Sequence, residues 1–182
     1  MMFVSLGIGT VIAVALITAV SLLTSGSSNT GKGSSGAPST NALVGTSVRG
    51  FSVSTLGGGT VTSPWTSGHP SVLIFFASWC GPCQAEMPKV AAYLRSHNEG
   101  PVKVLGVDAN DQRTAGRSFV RKADATFPVA FDQNLGVANG IFQLQALPDT
   151  VFVNAHGVVT RVYIGAIPTS QLARGIRALE SA

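Results

Sequence analysis

The feature that most constrains the fold is an apolar stretch that runs almost directly into two closely spaced cysteines. Residues 72–76 (VLIFF) have the composition of a β-strand covered on both faces. Residues 79–83 (WCGPC) follow, and after them apolar residues recur at helical spacing, namely Met87, Val90, Ala91 and Leu94. The pattern predicts a buried strand, a short loop that carries the cysteines and a helix, and Pro88 is expected to kink that helix.

The remaining apolar patterns predict an α/β domain. Strands are expected at residues 48–53, 60–62, 102–107 and 129–131, and in a hairpin formed by residues 150–153 and 158–164. Helices are expected at residues 111–122 and 169–180, the second with Thr169 as N-cap, and residues 134–142 have a weak helical pattern. This order predicts a three-layer α/β/α fold with a mixed sheet.

The chain begins with an uncharged apolar segment. Only 11% of the residues are charged, and residues 3–23 contain no charge at all. A helix of that length, at about 1.5 Å per residue, spans the hydrocarbon layer of a membrane. We therefore predict a transmembrane anchor at residues 1–24, a flexible Gly/Ser-rich linker at residues 25–42 and a folded domain at residues 43–182. A cleaved secretory signal and a buried core helix are the alternatives for the first segment, and the flanking charges give little support for either orientation.

Charge and cysteine content exclude several functions. The 12 Lys and Arg and 8 Asp and Glu residues give a net charge of +4 without any dense basic block, so no nucleic-acid partner is expected. Two cysteines are too few for a four-cysteine zinc site, and His69, His97 and His156 lack the spacing of metal ligands. Haem attachment is not expected, because Gln84 rather than histidine follows Cys83. We therefore predict neither a metal nor a bound cofactor.

The two cysteines carry the predicted chemistry. Cys80 is expected at the first turn of a helix, where unpaired N–H groups and the helix dipole stabilise a thiolate, the nucleophilic form of cysteine. Cys83, one turn further along, is then placed to attack a mixed disulfide at Cys80 and to release the substrate. Pro82 suits the first turn of such a helix. An inert structural disulfide is the alternative, although so short a loop removes little chain entropy.

Residues 72–88, VLIFFASWCGPCQAEMP, resemble the active-site block of the thioredoxin superfamily, and most closely its membrane-tethered, extracytoplasmic TlpA/ResA-type branch. Three further features are similar to that branch. They are the opening hairpin FSVSTLGGGTVT, the continuation QAEMP after the second cysteine, and the long stretch from Cys83 to residues 146–150 (ALPDT). The resemblance extends from about residue 45 to about residue 178, and it implies a thioredoxin-like fold for this region.

The resemblance also implies which residues face a substrate. Pro148 is expected to be a cis-proline opposite the cysteines, with the backbone of Leu147 offering strand-like hydrogen bonds to a substrate chain. A trans proline at the entry to a strand is the alternative. Trp79, Gly81 and Pro82 are expected to form the other edge of the substrate-binding surface, and core packing is the alternative for Trp79.

A glutamate is the candidate proton carrier. Glu86 lies three residues after Cys83, and TlpA/ResA-type proteins use a glutamate at the matching position, which implies proton exchange with the thiol pair. An exposed helical glutamate without such a role is the alternative. The buried acid that is more usual in the superfamily, on the preceding strand, is absent, because Ile74 occupies its place. Asp108, at the end of a strand, is expected to cap the next turn.

Together these observations predict a membrane-anchored, extracytoplasmic thiol–disulfide oxidoreductase that reduces disulfides in exported proteins. The resemblance implies apocytochrome c or a similar thiol protein as substrate, a membrane thiol carrier as electron donor, and no cofactor besides the Cys80–Cys83 disulfide. The alternatives are a disulfide-forming oxidant of the same fold, a thiol peroxidase and a non-catalytic binding module. The peroxidase motif P-x-x-x-T-x-x-C is not matched, because Leu73 and Ala77 occupy its proline and threonine positions.

Overall fold

A mixed sheet forms the centre of the described part of the chain, which in this computed structural model comprises residues 42–97 and 100–181. In chain order the strands are β1 (Ser52–Ser54), β2 (Thr60–Thr62), β3 (Ser71–Phe76), β4 (Lys103–Ala109), β5 (Val129–Asp132), β6 (Asp149–Val153) and β7 (Val159–Ile164). The first two form a separate hairpin, and the other five lie in the order β5-β4-β3-β6-β7. Because β3, β4 and β5 are parallel and β6 is antiparallel to β3 and β7, the predicted mixed sheet is confirmed.

Three α-helices cover one face of this sheet. They are α1 (Gly81–Ser96), α2 (Arg113–Lys122) and α3 (Thr169–Glu180), and their apolar side chains pack in one cluster with Phe76 and Phe152. The opposite face has no α-helix within the described ranges. It is covered by the segment before β3, which includes a short 3-10 helix (Pro64–Ser67), and by turns at residues 133–142. The expectation of two helical outer layers is therefore corrected, since one of them is built of turns.

The weak helical pattern of residues 134–142 does not produce a helix for a local reason. Leu135 has a φ of 59°, in the left-handed region that interrupts a right-handed helix. The carboxylate of Asp132 accepts the N–H groups of Val137 and Ala138, which satisfies donors that would otherwise bond along the chain. The segment still buries apolar side chains against the sheet, as the amphipathic pattern requires.

Several element boundaries differ from the predicted ones. Regular pairing in the first strand covers only Ser52–Ser54, and α2 begins at Arg113 rather than at residue 111. The last helix begins at Thr169, but its N-cap is Pro168, which makes no side-chain cap hydrogen bond. The helix that follows the cysteines continues past Pro88 to Ser96.

The predicted anchor at residues 1–24 and nearly all of the linker at residues 25–42 lie outside the described residues. Among the helices of the described ranges, none is long and apolar enough to cross a membrane. The folded part described here begins at Ala42.

The contact between α3 and the sheet leaves no room for a side chain at Gly175. A Cβ atom added there would overlap the ring of Phe152, which is fully buried in β6. We expect Gly175→Ala to lower the free energy of unfolding by about 1–3 kcal/mol through overpacking. Denaturant unfolding measures this loss, with Gly136→Ala as control, because a Cβ at Gly136 meets its nearest neighbour at 3.8 Å. Equal losses in both variants would contradict the overpacking.

Candidate active site

The two cysteines lie at the start of α1 and are joined by a disulfide bond, with their Cα atoms 5.2 Å apart. Cys80 is the N-cap of the helix, and its sulfur accepts a hydrogen bond from the N–H of Cys83 at 3.2 Å. Cys80 keeps 5% of its surface exposed, whereas Cys83 has none. Of the two cysteines, Cys80 is therefore the one that a second molecule can reach. The exposed residues Gly81 and Pro82 lie beside it.

The loop before Cys80 is held by the loop that follows β4. The carboxylate of Asp111 accepts the N–H and the hydroxyl of Ser78 at 2.5 and 2.9 Å. The indole N–H of Trp79 donates to the carbonyl of Asn110 at 2.9 Å, and its side chain is 58% exposed. Core packing, the alternative for Trp79, is therefore wrong. Sequence reasoning missed Asn110 and Asp111, whose contacts with this loop cross more than thirty residues of chain.

The Leu147–Pro148 peptide bond is cis, as the resemblance implies, and the alternative of a trans proline is wrong. The carbonyl of Pro148 accepts the N–H of Gly165 at 2.8 Å, which joins the segment to the end of β7. A cavity of about 190 Å³ beside this segment has Trp79, Asn110 and Leu147 among its lining residues. A substrate role for Leu147 and Pro148 stays a prediction.

Glu86 lies one turn after Cys83 and is buried, with 4% of its surface exposed. The alternative of an exposed helical glutamate is therefore wrong. One carboxyl oxygen accepts the N–H of Ile167 at 2.6 Å, and the other has no hydrogen-bond partner. Burial raises the pKa of Glu86 to about 7, although the Ile167 hydrogen bond opposes the shift, and the charge of Asp149 adds to it. The group can therefore hold or release a proton near neutral pH.

A second buried acid, Asp149, was not predicted. It follows Pro148 directly, is 3% exposed, and accepts the N–H of Gly165 at 3.2 Å. Burial raises the pKa of Asp149 to about 6, with the Gly165 hydrogen bond acting against the shift. Ile74, which occupies the place of the usual superfamily acid, is fully buried. The buried acids of this region lie instead on α1 (Glu86) and on β6 (Asp149). The sequence signal that could have identified Asp149 is its position as the first residue of an apolar strand.

The expectation that Asp108 caps the turn after β4 is wrong. Asp108 is fully buried, and neither of its carboxyl oxygens accepts a hydrogen bond from an N–H or hydroxyl group. In the turn after β4 it is the carboxylate of Asp111 that accepts a backbone N–H, that of Gln112 at 2.6 Å. The two aspartates are three residues apart, and the sequence alone did not distinguish them.

The thioredoxin-like sheet, the cysteine pair at a helix start and the cis-proline define a protein of the thiol–disulfide oxidoreductase class. The chain belongs to the AhpC/TSA family, whose model matches residues 44–162.

Relatives within this class match the folded part of the chain. The chain is 30% identical over 95 residues to the thiol-disulfide oxidoreductase ResA of Halalkalibacterium halodurans, a match that covers 52% of this chain and 53% of the relative. It is 29% identical over 129 residues to ResA of Bacillus cereus, covering 71% of this chain and 74% of the relative. The first of these matches thus spans only about half of its relative's length.

Two solved structures are similar to the described fold. One is MTB dsbF in its mixed oxidised and reduced forms, with a TM-score of 0.63 and 34% identity, covering 71% of this chain and 94% of that chain. The other is a secreted Mycobacterium tuberculosis disulfide oxidoreductase homologous to E. coli DsbE, with a TM-score of 0.62 and 27% identity, covering 71% of this chain and 96% of that chain. Both carry names from thiol–disulfide chemistry.

Proposed function

We propose that the chain catalyses thiol–disulfide exchange with protein substrates, with Cys80 as nucleophile and Cys83 as resolving thiol. The thiolate of reduced Cys80 attacks a substrate disulfide, forms a mixed disulfide and releases one substrate thiol, which takes up a proton. The thiolate of Cys83 then attacks the Cys80 sulfur, forms the Cys80–Cys83 disulfide and releases the second substrate thiol. The observation that carries the proposal is the unequal exposure of two cysteines at one helix start.

Glu86 would move the protons that this cycle requires. Reduction of the disulfide adds two electrons and two protons to the cysteine pair, and Cys83 is sealed from solvent. A carboxyl group one turn away, with one oxygen free of hydrogen bonds, offers an acceptor and donor on the buried side of the pair. Because its pKa is about 7, both protonation states are populated at neutral pH.

We expect Glu86→Gln to slow disulfide exchange by about 10- to 100-fold, since an amide cannot transfer the proton. The ratio of the wild-type rate to the Glu86→Gln rate, in which the ionisation of the Cys80 thiol cancels, should change with an inflection near pH 7. Stopped-flow measurement of the Trp79 fluorescence change between pH 5.5 and 8.5 tests both effects. Glu180→Gln, which removes an exposed helical carboxylate, is the control. A ratio that does not change with pH would contradict the proton role.

The proposed direction is reduction of substrate disulfides. The Gly-Pro dipeptide between the cysteines resembles that of the reducing thioredoxins, which supports this direction. The test is the reduction potential of the Cys80–Cys83 pair in the full chain, equilibrated with graded thiol–disulfide buffers. A value near or below about −270 mV supports the reductase, whereas a value near about −120 mV supports the disulfide-forming oxidant.

A thiol peroxidase is not favoured by the site. Ala77 stands at the threonine position of the peroxidase motif, is fully buried and has no hydroxyl group to bind a peroxide oxygen. A peroxide-dependent turnover comparable to the disulfide exchange rate would overturn this choice.

The cellular setting that we propose is a single-pass membrane protein with its catalytic domain outside the cytoplasm. The uncharged segment at residues 3–23 and the Gly/Ser-rich residues after it support an anchor and linker. The TlpA/ResA resemblance supports apocytochrome c or another exported thiol protein as substrate, and a membrane thiol carrier as donor. The chain should stay in the membrane fraction after alkaline carbonate extraction, and Cys83→Ser should form a mixed disulfide with the substrate. Release by carbonate would contradict the anchor.

A further inference from the structure

Asp108 is a buried acid that the proposed mechanism does not use. It lies in β4 with none of its surface exposed, and neither carboxyl oxygen accepts a hydrogen bond from an N–H or hydroxyl group. The carboxyl group packs against the backbone of Gly116 in α2, where an added Cβ would overlap it. An ionised carboxylate at this place loses its hydration and gains no hydrogen bond in return, which is strongly unfavourable.

Asp111, the neighbouring acid, is in the opposite situation. One of its oxygens accepts the N–H of Ser78, and the other accepts the Ser78 hydroxyl and the N–H of Gln112. Three donor groups therefore bond to this carboxyl group, whereas no N–H or hydroxyl group bonds to that of Asp108. When two adjacent carboxyl groups share one proton, it resides on the group without donors, and the protonated acid can then donate to the carboxylate.

The groups that surround Asp108 favour its protonated form. Among residues 42–97 and 100–181, the charged groups that act on it are Asp111 and Arg113. Neighbours that are apolar or lack a side chain are Phe76 on β3, Phe131 on β5, Leu56 in the turn between β1 and β2, and Gly116. Burial, the charge of Asp111 and the hydrogen bond to Asp111 raise the pKa of Asp108 to about 8, although Arg113 acts in the opposite direction.

We propose that Asp108 holds a proton at neutral pH and donates a hydrogen bond to Asp111, which makes it a positioning residue for the loop that carries the active site. The connection to the cysteines is direct. Asp111 holds Ser78, the adjacent Asn110 holds the indole of Trp79, and Cys80 follows in the chain. If Asp108 loses its proton, two like charges face each other in a buried place, and their repulsion displaces Asp111 and this loop.

Nuclear magnetic resonance of the full chain in detergent micelles tests the proposal. The protein is kept oxidised, so that the cysteines do not titrate, and it carries ¹³C-labelled aspartate and ¹⁵N-labelled tryptophan. The Asp108 carboxyl carbon should titrate near pH 8, and the Trp79 indole signal should shift over the same range. Trp65, the other of the 2 tryptophans, is buried against the opposite face of the sheet and should not shift. An Asp108 midpoint below pH 6, or a stationary Trp79 signal, would overturn the proposal.

Two variants separate the acid pair from general effects of mutation. Asp108→Asn keeps an N–H donor beside Asp111 and should abolish the pH-dependent shift of Trp79. Asp111→Asn removes the neighbouring charge and should lower the midpoint of Asp108. Persistence of the Trp79 shift in the first variant, or an unchanged midpoint in the second, would overturn the link. The wild-type titration tests the proton on Asp108 even if neither variant folds.

The effect on catalysis rests on the proposed function, whereas the titration of the oxidised chain does not. The effect is measured as the exchange rate of Asp108→Asn divided by that of the wild type, both with a small aromatic disulfide. This ratio should rise about threefold between pH 7 and pH 9, which corresponds to roughly 0.7 kcal/mol in activation free energy. Thiol ionisation cancels in this ratio because both proteins share it. A constant ratio would overturn the positioning role. A titrating Asp108 in a chain without exchange activity would support the acid pair and contradict the proposed function.

Discussion

Replacing Cys80 with serine is expected to lower the rate of protein disulfide reduction by at least about 1,000-fold, because a hydroxyl group is not ionised at neutral pH and forms no disulfide. The proposed mechanism assigns the first attack to this residue, since Cys83 has no exposed surface through which a protein substrate could reach it. Reduction of insulin disulfides by the full chain, with a dithiol as electron source, measures the loss. Turnover retained by Cys80→Ser would contradict the assignment of the nucleophile.

The matched variant Cys83→Ser separates the two chemical steps. It keeps the attacking thiol, so the first exchange should proceed and a mixed disulfide with the substrate should accumulate, because no thiol remains to resolve it. Gel electrophoresis without reductant detects this species, which should be absent from Cys80→Ser. A non-catalytic binding module would behave differently, since it would bind substrate equally well with either serine. Equal binding without any covalent species would therefore favour that alternative.

The parts of the fold that the sequence predicts well are those encoded within short stretches of chain. The run at residues 72–76 is apolar enough to specify a strand buried on both faces, and the residues after Cys83 show helical spacing. The position of the cysteines at the start of the helix follows from the strand before them and the helical pattern after them. For Glu86 the sequence left a proton role and an exposed helical glutamate as alternatives, and its burial excludes the second.

The parts that escaped prediction depend on contacts between distant segments. Asp111 reaches Ser78 across 33 residues, and nothing in either local sequence specifies this contact. Local periodicity also treats residues 134–142 as a weak helix, because it does not register Asp132 as a competitor for their backbone N–H groups. The buried positions of Asp108 and Asp149 follow from the packing of α2 and the end of β7. Such positions require the assembled sheet.

The oxidised protein is expected to be more stable at pH 5 than at pH 8, by about 7 kcal/mol in the free energy of unfolding, at about 1.4 kcal/mol per pKa unit. The pKa values of Glu86, Asp108 and Asp149 are raised to about 7, about 8 and about 6 in the folded chain, from 4.5, 3.8 and 3.8. Between the unfolded and folded values the folded state binds more protons than the unfolded state. Stability therefore falls as pH rises through this window.

Urea unfolding of the oxidised full chain between pH 5 and pH 8 measures this slope, and neutral variants assign it to residues. Asp108→Asn and Asp149→Asn each remove a buried acid and should flatten the pH dependence, with the larger effect for Asp108, whose pKa is raised further. Asp124→Asn is the control, because Asp124 forms only an exposed ion pair with Arg95. The burial that raises these pKa values also makes ionisation of the three acids unfavourable for folding. A slope that is unchanged in Asp108→Asn would therefore contradict the proton on Asp108 as well as its stability effect.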